Sequence, residues 1–535
     1  MNKKVKKIIF FVLYCFIISF GLWITFHETF ALWKIGVGNG ISLPPILFNG
    51  FKSRGGLFLT TFRYARDNWL IFPSLVMFLV YPILGINKYT IIGPGWLILI
   101  ANAFLGYYLI RKIIDNKNSY APKAILILLI FVSLPALYWG GWMSYLISHY
   151  TTFFLVLVSL ILLIMFFLNN SIINLILLFI SLLFIIFIGS ITDAWFIAVF
   201  VVPATLFLFI SIIKKDNHKK AILPTISIIL GFIIAKTKIF GIIKILPNSP
   251  YPFVTSVNEF LININFFINH MLTLFSINEA FKINQIFGFI YLIIFLYLLS
   301  ISFYLLFKNH DMLTVPQKVT IYISSLSIIT ISGAYLLSSI YPLIGGSGRY
   351  IINIYYFIIL LIVFSLFKYN KNIIIFYIFI LWLTLSVGLS IYEGRNYILN
   401  NHLFRKNNKN LITLINFLET HKLHYGYIIS NNGNAINGVT AMSDFKVRAL
   451  PLAITNKYIH MAPNLYSSFW YQEEYIEKHK KFFIIIRNNN ININLVKKEF
   501  GNSLKTYNIN KEKVILCENN FCSKRMFIIL SGKKM

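Results

Sequence analysis

Acidic side chains are scarce in this chain. Seventeen Asp and Glu stand against 48 Lys and Arg over 535 residues, a formal net charge of +31. Charged residues of both signs make up only 12%, where a soluble chain carries about a quarter. Cysteine is scarcer still: Cys15 lies in the first apolar run, and Cys517 and Cys522 in ILCENNFC near the C-terminus. Two neighbouring cysteines do not furnish a four-ligand zinc site, which leaves a local disulfide or two thiols. The absence of a Walker loop argues against an ATP-driven pump, and neither HExxH nor GxSxG occurs.

What abounds is apolar length. Hydrophobic residues reach 58% and mean hydropathy is +0.74. Apolar runs lie near 8–26, 70–86, 90–110, 123–141, 151–168, 171–190, 195–213, 221–237, 283–307, 318–340, 350–367 and 373–392. Most approach the ~20 residues that cross a ~30 Å hydrocarbon core. In lipid such runs must be helical, because no water satisfies an open backbone. This excludes a soluble globular domain. The basic residues are dispersed between the runs, with no groove- or base-reading motif, so they point to anionic lipids and not to nucleic acid. The start, MNKKVKKIIFFVLYCFIISFGLWITF, resembles a secretory leader without a small-residue cleavage site and reads as an uncleaved first helix.

Charge decides which runs cross. With Lys3, Lys4, Lys6 and Lys7 inside and run 70–86 not crossing, one side collects Arg111, Lys112, Lys117, Lys123, Lys214, Lys215, Lys219, Lys220, Lys308, Lys318, Lys368 and Lys371. The short loops opposite then hold almost no cation except Arg349. If 70–86 crossed, every later basic cluster would face outward, against the positive-inside rule. Pro73 and Pro82 also suit a bent, interfacial segment. The expected architecture is α-helical and polytopic, with about eleven transmembrane helices, the N-terminus inside and the C-terminus outside. Residues 1–392 form the membrane domain, with outer loops 27–89 and 238–282. Residues 393–535 form a small α/β extracytoplasmic domain, in which LITLINFLETH reads as a helix and YGYIIS, KVRALPL, KFFIIIR and RMFIIL as strands.

Polar residues that the membrane makes expensive are the candidates for function. Asp193, in GSITDAW, is the sole acid between Asp115 and Asp216. It reads as an N-cap for helix 195–213, alone or with a second role. His149, in SYLISHYTTFF, opens a span as a structural or functional histidine. Arg349, in GGSGRYIIN, also opens a span, where its fork suits a phosphate and its charge suits an interfacial anchor. The first outer loop carries Glu28, Arg54, Arg63, Arg66 and Asp67. Asp67 fits a base, a metal ligand or the ion-pair partner of Arg63 or Arg66.

At these residues the chain resembles the GT-C superfamily of polytopic glycosyltransferases, which includes protein mannosyltransferases, aminoarabinose transferases and oligosaccharyltransferase. RDNW at 66–69 resembles the motif that ends the first loop. His149 resembles a span-opening His, TDAW at 192–195 an SDPW-like turn, and Arg349-Tyr350 a late Arg-Tyr pair. GYIISNNGNA at 426–435 and SSFWY at 467–471 resemble outer-domain motifs. The resemblance implies a bacterial cytoplasmic-membrane enzyme that takes a sugar from a polyprenyl-phosphate-linked donor on the outer face. The acceptor is an envelope glycan, lipid or protein. On this reading Asp67, Asp193 and Glu28 are the catalytic candidates, and Arg349, Tyr350, His149 and Arg66 bind substrate. A divalent metal, Mg or Mn, has its place at Asp193. Where family members carry a first-loop Asp, this chain has Asn39 in VGNG, and an amide is no base. A flippase of lipid-linked glycan, or an inactive GT-C-like envelope protein, is the alternative.

Overall fold

The computed structural model describes residues 3–35, 39–55, 62–63, 75–114, 120–131, 149–215, 218–237, 253–274, 282–338, 350–399, 402–429, 439–440, 443, 446–454, 459–461, 466–467, 482–486, 496–497, 500, 505–509 and 512–518. Other residues, and some side chains within these ranges, lie outside the description. The chain divides into two compact units, residues 1–29, 94–240 and 248–400, and residues 30–93, 241–247 and 401–535.

The helices are α1 (Lys3–Ile35), α2 (Asn39–Arg54), α3 (Tyr81–Leu84), α4 (Lys88–Ile113), α5 (Ala121–Phe131), α6 (His149–Leu168), α7 (Ile172–Thr192), α8 (Val202–Ile213), α9 (His218–Lys236), α10 (Val257–Leu274), α11 (Lys282–Lys308), α12 (Val315–Leu336), α13 (Ile352–Tyr369), α14 (Ile373–Leu399) and α15 (His402–Thr420). Among the described residues six helical stretches are long and apolar enough to cross a membrane: Tyr89–Ile113, His149–Leu168, Ile172–Thr192, Ile286–Lys308, Val315–Leu336 and Ile352–Tyr369. Shorter apolar helices cover Phe11–His27, Ala121–Phe131, Ile197–Ile213 and Ile373–Gly388. The described part of run 70–86 is a π-helical turn, Val76–Val80, followed by α3. These nine helical residues rise about 14 Å, roughly half a hydrocarbon core.

In the first unit α13 is the hub. Every residue from Ile352 to Leu366 is buried, and the helix packs against α5, α6, α11 and α12. In α7 the pattern is amphipathic between protein and lipid. Leu178, Leu182 and Ile186 recur every four residues and are buried, while Ile172, Ile173, Ile176, Leu177, Ile180 and Phe184 are exposed. The buried stripe meets α9, where Gly231 lets the backbones approach: an added Cβ would lie 2.7 Å from the Leu183 carbonyl. Ahead of α8 the chain makes a π-helical turn, Ile197–Val201. Two hydroxyls of α12 donate to carbonyls there, Ser327 to Val199 at 2.8 Å and Thr330 to Ala198 at 2.6 Å. Such side chains re-satisfy backbone groups that an irregular helix leaves open in lipid.

Loop ends meet in two groups. Gln317 donates to the Ile113 carbonyl at 2.7 Å and Lys220 to that of Phe167 at 2.8 Å, joining connections on the basic side. Asn263 donates to the Leu336 and Ser338 carbonyls, on the opposite side.

The second unit holds a six-stranded mixed sheet, order β4-β3-β2-β6-β8-β7. Its strands are β2 (Tyr425–Ile429), β3 (Arg448–Ile454), β4 (Ile459–Met461), β6 (Phe482–Ile486), β7 (Lys505–Ile509) and β8 (Glu512–Cys517). Strand β2 runs parallel to β3 and β6, and the other pairings are antiparallel. Leu411, Leu414, Ile415 and Leu418 form one face of α15 and pack with Ile428, Phe483, Ile485, Val514 and Leu516. A separate short pair joins β1 (Phe62–Arg63) antiparallel to β5 (Tyr466–Ser467).

Two expectations change. The first helix runs past residue 26 to Ile35, because FHETFALWKI contains no breaker, so Glu28 lies within a helix and not in a loop. The first loop contains α2 despite Pro44 and Pro45, and loop 238–282 contains α10. The strand expected at RMFIIL lies outside the described residues, as does Cys522; Cys517 is buried in β8.

Candidate functional site

The first residue of α6, the turn after α7 and Tyr350, two residues before α13, converge at one end of the first unit. Asp193 ends α7 in extended conformation, φ −140° and ψ 114°. Its Oδ1 accepts the Trp195 backbone N–H at 2.9 Å, as an N-cap of the next helical segment does. Its Oδ2 accepts from the Thr152 hydroxyl and stands 3.1 Å from His149 Nδ1. An ionised carboxylate only accepts, so Nδ1 carries the proton in this contact. Thr152 follows His149 by three residues, which places both on one face of α6.

Aromatic rings enclose the pair. The His149 ring lies 4.4 Å from that of Tyr350 and 6.1 Å from that of Trp195. Trp195 and Tyr350 rings are 5.3 Å apart, and the Trp195 indole N–H donates to the Tyr350 carbonyl at 2.9 Å. From α4, Asn102 donates to the Tyr150 carbonyl at 3.0 Å, fixing the backbone beside His149. Among the described residues Asp193 is the sole buried carboxylate. Burial by itself would raise its pKa. The His149 charge and the hydrogen bonds from His149, Thr152 and Trp195 outweigh that and hold it below the ordinary 3.8.

Of the residues singled out in the sequence, His149, Asp193 and Tyr350 come together. Arg349, Arg66 and Asp67 lie outside the described residues. Glu28 is placed in α1 and Asn39 at the start of α2, with neither side chain described. Thr152, Asn102 and the indole role of Trp195 escaped the sequence reading. A hydroxyl three residues after His149 was the available signal.

Both carboxylate oxygens of Asp193 are taken up by N–H and O–H donors, and the described residues contain no group of three His, Cys, Asp or Glu side chains able to hold a metal.

Many apolar helices, a buried polar cluster at helix ends and a mixed sheet with its helix describe a polytopic membrane protein. The crystal structure of ArnT from Cupriavidus metallidurans bound to undecaprenyl phosphate has this fold, with a TM-score of 0.58 over 94% of this chain and 98% of that one, at 9% sequence identity. No family model matches the chain, and no curated protein matches its sequence.

Proposed function

We propose that this protein is a membrane glycosyltransferase that moves a sugar from a polyprenyl-phosphate-linked donor to an envelope glycan, lipid or protein, on the outer face of a bacterial cytoplasmic membrane. The observation that carries the proposal is the fold shared over 94% of the chain with a protein bound to undecaprenyl phosphate. The site adds support, since three separate motifs of the GT-C resemblance, at His149, Asp193 and Tyr350, meet in one cluster.

In this reading the His149–Asp193 pair, with Trp195 and Thr152, is the wall that sets the Arg349-Tyr350 segment. Arg349, covalently next to Tyr350, takes the donor phosphate through its planar fork. The acceptor hydroxyl attacks the anomeric carbon, and its proton passes to a carboxylate, for which Asp67 is the choice. The bond from that carbon to the phosphate oxygen breaks, and polyprenyl phosphate leaves. Asp193 is a poor base, because its donors favour the ionised form.

A flippase would carry charged groups within its spans. Apart from His149 at the start of α6, the buried polar residues described inside the helices are uncharged types, such as Ser159, Ser324, Ser327 and Asn353, which favours chemistry at the membrane face. The test is transfer of radiolabel from a polyprenyl-phosphate sugar in isolated membranes. Labelled product dependent on this protein supports the reading, and lipid movement without product favours the flippase.

A further inference from the structure

At the opposite end of the same helices from the His149–Asp193 cluster lies a cavity of about 220 Å³. Phe167 sits near the far end of α6, eighteen residues after His149, or about 27 Å along the helix. Phe167 and Phe207 line one part of the cavity, and Lys214, Lys318, His310 and Tyr322 the other. The polar part is built. Tyr322 hydrogen-bonds His310 Nε2, and its ring stacks on Phe207 at 5.9 Å. The Lys220 ammonium is held nearby on the Phe167 carbonyl, adding a third cation to this end. Asp311 is the described carboxylate in the vicinity; it is fully exposed and touches the His310 Nδ1 side, 3.3 Å away.

Two ammonium groups, an imidazole and a phenol around an apolar floor suit a compact anion that carries a hydrocarbon chain. The apolar side opens toward lipid: Ile210 lines the cavity while remaining 46% exposed, and Phe209 and Ile213 beside it are exposed as well. We propose that this pocket binds a phosphate headgroup, with the phosphate between Lys214 and Lys318 and the acyl chains along the exposed face of α8. The basic loops put this end on the cytoplasmic side, so the ligand is an anionic phospholipid of the inner leaflet. The proposal stands on the cavity and does not depend on the transferase reading.

Full-length protein in nanodiscs tests it by thermal unfolding with phosphatidylglycerol, with phosphatidylcholine, and with phosphatidylcholine plus inorganic phosphate. Phosphatidylglycerol should stabilise the wild type beyond phosphatidylcholine. Lys214→Ala with Lys318→Ala should abolish that difference, as each lost charge-assisted contact weakens binding about tenfold or more. Lys214→Arg with Lys318→Arg should keep it. Lys368→Ala with Lys371→Ala, on the same face but outside the pocket, should also keep it. If the alanine pair fails to fold, Lys214→Met with Lys318→Met preserves the aliphatic stems and carries the test. Stabilisation by inorganic phosphate alone, lost in the alanine pair, supports the phosphate site and assigns a soluble source. An unchanged response in the alanine or methionine pair, or equal loss in the Lys368/Lys371 control, overturns the proposal.

Discussion

His149 Nδ1 lies 3.1 Å from Asp193 Oδ2, and this contact ties the first residue of α6 to the turn between α7 and α8. Both groups are almost wholly buried, so neither partner can be removed without stranding the other. Asp193→Ala should cost about 3–5 kcal/mol, the loss typical when one member of a buried pair is deleted. Unfolding of the detergent-purified protein measures it, and a variant with unchanged stability would show the contact to be incidental.

The same carboxylate gives the pH dependence a sign. Its folded pKa is depressed below 3.8, so its contribution is complete above that value and is lost as pH falls through the lower folded value. Stability of the wild type should decline more steeply than that of Asp193→Asn below about pH 4. Parallel acid profiles would place the carboxylate's stabilisation elsewhere.

Ser327 and Thr330 donate to the carbonyls of the π-helical turn at Ile197–Val201. Replacing both, as Ser327→Ala with Thr330→Val, leaves those acceptors without their partners in a membrane interior. The expected loss is about 1–2 kcal/mol, because buried hydrogen bonds between membrane helices each contribute about 0.6 kcal/mol, to a maximum near 1.7. Additive, separate losses in the two single variants would be consistent with two independent bonds; no loss in either would contradict the assignment.

Gly426 stands opposite Phe483 in the parallel β2–β6 pairing. A Cβ there would lie 2.3 Å from the Phe483 carbonyl oxygen and from its ring, with rigid backbone on one side. Gly426→Ala should therefore destabilise the sheet by about 1–3 kcal/mol or more. Limited proteolysis of the full-length protein should show faster cleavage after residue 400, and wild-type resistance would mean the strands can separate to admit the methyl group.

Much of the membrane architecture was legible because lipid imposes one local solution, the helix, on each apolar run. The site was half legible for a related reason. A His, an Asp and an Arg-Tyr pair stand out among apolar neighbours, whereas Thr152 and Asn102 resemble ordinary span residues until a partner is in view. Helix α2 was hidden by Pro44-Pro45, which locally oppose a helix, and α10 by asparagines scattered among its apolar positions. Strands β7 and β8 carry Lys505, Glu512 and Lys513 and show weak alternation. The pairing of β8 with β6, between residues distant in sequence, and of β7 with β8 creates the strand environment.

The account centres on transfer from a polyprenyl-phosphate sugar, and transfer itself is the direct measurement. Membranes containing the wild type, Arg349→Ala, Asp67→Asn or Asn39→Asp, matched for folded protein, are supplied with radiolabelled polyprenyl-phosphate sugars. The wild type should form labelled envelope product. Arg349→Ala should lose about tenfold to over a hundredfold in donor affinity, the loss of a charge-assisted contact worth about 1.5–3 kcal/mol. Asp67→Asn should bind donor without turnover. No product from the wild type with any donor, together with product from Asn39→Asp, would contradict the account and identify the natural chain as a non-catalytic GT-C-like protein.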